Sequence, residues 1–238
     1  MTILKLLPTA IMKMTLNPTR RLICGALISS ALFAHAGNTL ASDTPDSPAG
    51  TIFASAPDSR KVIQEVEQAI SQGDFVHAEE LCKSALAQFE KEKRKDDMAD
   101  IYGYLGFVYQ MKHDLDQAET SYYKAIELNK ALARQSDVAR VYGNLGSLEQ
   151  SRGNTEKATS LFLQSRRIAR QSKDEGTEAN ALANLGSLYG SQGDLNRAEE
   201  NFCKALELFK NMDNSNAENS VRDMLDSMGS NCEAATGS

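Results

Sequence analysis

Apolar and small residues recur every three or four positions through most of the chain after residue 58, and the pattern is clearest over 182–206. There Leu182, Leu185, Gly186 and Tyr189 form one set and Ala198, Phe202 and Ala205 a second, with Gly193-Asp194 between them. This spacing predicts two amphipathic helices folded into a hairpin. Forty residues earlier the template lands on Tyr142, Leu145, Gly146, Gly153, Ala158 and Phe162. A further step reaches Tyr102, Leu105, Gly106, Tyr109, Ala118, Tyr122 and Ala125, and a third reaches Gly73, Ala78, Cys82 and Ala85. Four copies in register are an internal repeat. Units of this kind stack into a solenoid, because none of them buries its apolar face alone.

The repeat divides the chain into units at 59–97, 98–137, 138–177 and 178–211. In the first, helices are expected near 59–71 and 75–91; Glu65 and Val66 replace the Leu and Gly of the other copies, as a terminal unit with one open face permits. The second pairs 98–111, with Asp97 placed as its cap, with 115–130. Gly103 and Gly106 fall inside a helix, where each costs about 1 kcal/mol against Ala. Close approach of Gly106 to Ala118 on the second helix is the expected compensation. The third unit departs from the pattern at Glu149 and Ser165, where its neighbours have Tyr and Ala, and looser packing is expected there. Arg166, Arg167 and Arg170 on its second helix read as a solvated face. Beyond a turn at 211–216, residues 217–228 place Val221, Met224, Leu225 and Met228 on one stripe, a helix suited to cap the open end. A loose tail, 229–238, follows.

Composition narrows the class. All five prolines lie before residue 58, leaving a long tract free of the strongest helix breaker, so the body is expected to be all-α. The formal charge is −6, although Lys5, Lys13, Arg20 and Arg21 stand in an acid-free leader, so the remainder is more acidic still. That balance argues against nucleic acid as a partner.

Arg20-Arg21 precede an apolar run over 22–34, and Ala34-His35-Ala36 supplies small residues at both positions of an A-x-A cleavage site. Residues 1–36 thus read as a secretory signal peptide, with cleavage after Ala36 or near Ala41-Ser42 and with Met12 or Met14 as alternative starts. The run is shorter than the roughly 20 residues of a spanning helix, so no membrane span is expected after cleavage. The expected destination is the bacterial periplasm or the exterior; the alternative is an organelle reached by a transit peptide. Residues 37–58, rich in Pro, Ser, Ala and Asp, read as a flexible linker.

At Tyr102, Leu105, Gly106, Tyr109, Ala118, Tyr122 and Ala125 the chain resembles the tetratricopeptide repeat (TPR) family, whose W-x2-L-G-x2-Y…A-x3-F…A spacing these residues match. The resemblance covers 59–211 and implies a right-handed α-solenoid of four TPR helix hairpins plus a C-terminal capping helix. The departures are a 40-residue period in place of about 34, no Pro at the repeat end and no Trp. The extra residues are expected to lengthen the second helix and the linker. The Gly143-Asn144-Leu145-Gly146 and Ala183-Asn184-Leu185-Gly186 segments resemble the subclass of kinesin light chain and the GoLoco-binding adaptors, in which this Asn bonds to the backbone of a peptide in the concave groove. Carried over by position, the groove includes Tyr104, Phe107, Gln110 and Met111, then Arg140, Asn144, Ser147 and Gln150, then Asn180, Asn184, Ser187 and Ser191. Tyr104 and Phe107 would take an apolar anchor.

His35, His77 and His113 stand alone, the acidic pairs lie on polar faces, and no nucleophile motif is present, so neither a metal, a cofactor nor an enzymatic activity is expected. After cleavage Cys82, Cys203 and Cys232 remain; Cys82 takes a core position, and in an oxidising compartment the tail lets Cys232 fold back onto Cys203. Together these features imply an exported interaction module or adaptor that binds a peptide segment of an envelope or secreted partner in its groove. The alternative is a structural subunit that contacts its assembly through the convex face or the ends.

Overall fold

The computed structural model describes residues 58–230 and 232. The signal-peptide and linker expectations lie outside them, except for Asp58. The described chain is a succession of helices: α1 (Ser59–Ser71), α2 (Phe75–Glu92), α3 (Lys95–Met111), α4 (Leu115–Ala131), α5 (Gln135–Ser151), α6 (Thr155–Gln171), α7 (Glu175–Ser191), α8 (Leu195–Asn211) and α9 (Ser215–Ser227). Each packs against the next, so α1/α2, α3/α4, α5/α6 and α7/α8 are four stacked hairpins with α9 against α8, an all-α solenoid. No helix among the described residues is long and apolar enough to cross a membrane.

The 40-residue period comes from the helices. From α3 to α8 each helix has 17 residues, and three residues connect each to the next, within hairpins and between them alike. The longer linker expected from the sequence is absent; the extra residues extend the helices. Every connection is built the same way. Its left-handed residue is Gly73, Lys93, His113, Ala133, Gly153, Lys173, Gly193 or Asp213, and the next N–H donates to the carbonyl five residues back, as in Asp114 to Tyr109 and Asn154 to Glu149. These are helix-ending motifs that satisfy carbonyls at one helix end while the following helix begins.

That next residue is also the N-cap. Asp74, Asp114, Asp174 and Asp194 each accept from the N–H three residues on, at 3.0, 3.3, 2.9 and 3.0 Å. Helix α3 differs: it starts at Lys95, with Arg94 in the cap position and no side-chain cap bond. Asp97, expected as the cap, instead sits in the first turn and accepts from Arg94 Nε at 2.6 Å. Arg134 and Asp137 repeat the arrangement at α5, at 2.7 Å.

Gly106, Gly146 and Gly186, at the ninth position of the second, third and fourth units, prove to face an aromatic ring and not the alanine expected. A Cβ on Gly106, Gly146 or Gly186 would lie 2.5, 2.6 or 2.8 Å from the ring of Tyr122, Phe162 or Phe202. The ring of the second helix thus occupies the space a side chain would need on the first. Gly103 has nothing within 4 Å of a built Cβ, and it is Gly190 that faces an alanine, Ala198 Cβ at 3.7 Å. Apolar residues of α1 to α6 form one core cluster and those of α7 to α9 another, with Ala158, Phe162, Leu185 and Leu188 packed at the joint. Val221, Met224 and Leu225 of α9 are buried, covering the last hairpin.

Candidate functional site

The first helices of successive hairpins, α1, α3, α5 and α7, touch one another across the stack, and the second helices do not make comparable contacts. The inner side of the solenoid is therefore lined by these first helices, which carry the candidate groove residues. Contacts here join one unit to the next: Tyr104 on α3 donates to Glu67 on α1 at 2.5 Å, and Ser187 on α7 meets Met224 Sδ on α9 at 3.8 Å.

The candidate residues divide by what already holds them. Tyr104 and Phe107 are buried, so the apolar corner expected of them is not an open surface; Tyr104 is committed to Glu67, and burial followed by that carboxylate pushes its hydroxyl pKa up. Gln110 is buried as well, accepting from the Tyr122 hydroxyl at 3.0 Å while its Nε2 has no partner. Arg140 donates to Asp137 at 2.5 Å, and Ser147 donates to its own helix at Gly143 O, 3.3 Å. The asparagines are free. Asn144 on α5 and Asn184 on α7 make no side-chain hydrogen bond among the described residues, and Asn180 Oδ1 is buried without a donor. Asn144 is buried down to its last 8 % and Asn184 is half-buried. An amide without an internal partner in such a place retains both its donor and its acceptor for a ligand.

Two ionic clusters flank this face, and sequence reasoning found neither. Arg134 Nη2 reaches back to Asp100 at 2.8 Å while its Nε and Arg140 share Asp137. Burial pushes the Asp100 pKa up against the pull of Arg134; for Asp137 burial also opposes ionisation, but Arg140 and Arg134 prevail and hold it below the usual range. The recurrence of Arg94-x-x-Asp97 forty residues later as Arg134-x-x-Asp137 was the available signal. The second cluster surrounds Glu149, which is fully buried. Its carboxylate accepts from Arg152 at 2.9 Å, Lys157 at 2.8 Å and Asn154 at 2.7 Å, and Arg152 also reaches Glu119 at 2.6 Å and Asp116 at 2.8 Å. Burial opposes its charge, yet these donors hold its pKa low. Ser165, the other departure, donates to Ala139 O at 2.7 Å. The looser packing expected of the third hairpin is not found, because each polar replacement has its partner.

Among the described residues no three His, Cys, Asp or Glu side chains are grouped to hold a metal. Cys82 is a buried thiol whose pKa burial pushes up to about 12. Cys203 and Cys232 are joined by a disulfide, and Ser230 donates to Glu199 at 2.5 Å, so this part of the tail is tied down.

The family model described as "Tetratricopeptide repeat" matches residues 137–211, the third and fourth hairpins. Residues 137–211 carry tetratricopeptide repeats. The two hairpins before that span repeat the same turns, and the second of them repeats the glycine-against-ring contact as well. Among solved structures, the repeats are similar to BtubC (BKLC) from P. vanneervenii, at 22% identity over 71% of this chain and 72% of that one, with a TM-score of 0.58. PilF of Pseudomonas aeruginosa is similar at 20% identity, over 71% and 68% of the two chains, with a TM-score of 0.53. At these identities the likeness is one of fold. No curated protein matches the sequence. Tetratricopeptide repeats are interaction modules, so a protein or peptide is the class of partner they imply.

Proposed function

We propose that this chain is an exported adaptor whose inner face holds an extended peptide segment of an envelope or secreted partner. The observation that carries the reading is the set of uncommitted amides: Asn144 and Asn184 hold the same register position on the contacting helices α5 and α7, and neither has an internal hydrogen bond. An extended main chain presents N–H and C=O groups in alternation, and carboxamides answer both, giving recognition that depends little on charge. Export is supported by the leader over 1–36 and by the Cys203–Cys232 disulfide, which suits an oxidising compartment. Neither amide is tied into the fold by a side-chain hydrogen bond, so replacing them should leave the fold intact.

The test is an envelope pull-down with the wild-type chain and with Asn144→Ala plus Asn184→Ala, each checked for an unchanged melting curve. Loss of the wild-type partners from the variant is expected. Recovery of the same partners by both proteins would overturn the assignment to the inner face.

A further inference from the structure

The second helix of the third hairpin, α6, carries a surface that packing does not explain. Leu163, Arg166, Arg167 and Arg170 stand at i, i+3, i+4 and i+7, one stripe about 10 Å long. In the other hairpins the position of Arg166 is held by Leu86, Ile126 and Leu206, of which Ile126 and Leu206 are buried in the core. The positions of Arg167 and Arg170 hold Ala or Glu and Glu or Lys. Only here are all three basic. The replacement at Arg166 is unfavourable for the fold: its Nε is buried without a hydrogen bond, with Glu178 Oε1 at 3.5 Å. Arg170 lies 3.8 Å from the same carboxylate, its side chain 71% exposed, and Arg167 has no carboxylate partner among the described residues. By contrast Arg134, Arg152, Arg197 and Arg222 each bond a carboxylate at 2.8 Å or less. Beside the three guanidinium groups Leu163 is 46% exposed.

We propose that this stripe docks an acidic segment of a protein partner, one in which carboxylates lie about a helical turn from an apolar side chain. Charge complementarity selects the occupant. The chain as a whole carries −6, so a long polyanion meets net repulsion, whereas a short acidic segment meets only the local cluster. Arginine forks bind carboxylates in paired hydrogen bonds, and Leu163 provides the apolar contact that fixes register. Glu178 stands 3.5 and 3.8 Å from two of the three forks and Glu200 also feels the charge of Arg166, but neither carboxylate accepts a hydrogen bond from them, which leaves their donors available. The surface is separate from the inner face and from the asparagines there, and its test is independent of theirs.

The test selects a displayed library of random peptides against the full chain, with Arg167→Ser plus Arg170→Ser as the counter-selected variant. Enrichment of sequences pairing Asp or Glu with an apolar residue is expected. In fluorescence anisotropy an enriched peptide should bind at least about fivefold more weakly to that variant, and more weakly when its apolar residue is changed to Ser. Asn144→Ala plus Asn184→Ala should leave its affinity unchanged. Both changed arginines are exposed, so circular dichroism should show an intact fold; Arg166→Leu, which restores the residue type of the other hairpins, serves as a second variant with undiminished stability and weaker binding. No acidic enrichment, or affinity indifferent to the arginine changes, would overturn the proposal. So would equal binding of a single-stranded oligonucleotide, or self-association abolished by the same substitutions, which would make the occupant a polyanion or a second copy.

Discussion

The third and fourth hairpins have the same backbone and different chemistry inside it. The fourth follows the repeat pattern closely: Tyr189 stands where the third has Glu149, Ala205 where it has Ser165, and Leu206 where it has Arg166. Yet helix lengths, turns and the glycine-against-ring contact are common to both. A polar residue at a packing position leaves this fold undisturbed when donors and acceptors surround it, as they do Glu149 and Ser165. The comparison also isolates the replacement without that support. Arg166 gains no hydrogen bond at its buried Nε, and that deficit separates a site awaiting a partner from a network that is complete.

The largest break in the comparison should come from Glu149→Ala. It leaves Arg152, Lys157 and Asn154 without their shared acceptor, at a cost of about 3 kcal/mol in urea unfolding. The same network makes stability depend on pH in a defined direction. Because Glu149 is held below the ordinary value of 4.5, its contribution is complete above that value and fades as the pH falls toward its own lowered pKa. Wild type should therefore lose more stability in acid than Glu149→Gln does.

The fourth hairpin is fastened covalently instead. Replacing Cys203 and Cys232 by Ser opens a loop spanning 29 residues and should cost about 2–4 kcal/mol. Hydrogen exchange should then quicken in α8 and α9 and stay unchanged in α5 and α6; a uniform change would mean that the hairpins do not respond separately. Smaller still are the effects at glycine. Gly146→Ala and Gly186→Ala should each cost about 1–3 kcal/mol because a ring occupies the methyl's place. Gly190→Ala should be neutral or stabilising by up to about 1 kcal/mol. Equal costs at Gly146 and Gly186 would place the shared seam beyond the reach of the polar differences.

The sequence made the helices, their pairing and the cap legible because each rests on a local period that burial enforces. It was less informative about what lies across an interface. Periodicity marks Gly106 as facing the second helix, but whether it meets Ala118 or the ring of Tyr122 depends on how far the two helices are offset along their axes. Tyr104 reads as available until the preceding unit brings Glu67 to its hydroxyl. The cluster around Glu149 needs Glu119 from the helix before and Lys157 from the helix after it, and helical periodicity does not show that these side chains converge on one carboxylate. Asn144 and Asn184 were named from the sequence by resemblance to a repeat subclass, and that neither amide has an internal hydrogen bond became legible only from the structure.

The turns have a further consequence. Left-handed residues stand at 73, 93, 113, 133, 153, 173, 193 and 213, a spacing of twenty that the forty-residue side-chain pattern overlies. The main chain is thus blind to whether a helix faces inward or outward, and that orientation is written only in which helix carries the glycine and which the ring. Shifting that pair by a single helix would turn the solenoid inside out without altering one connection.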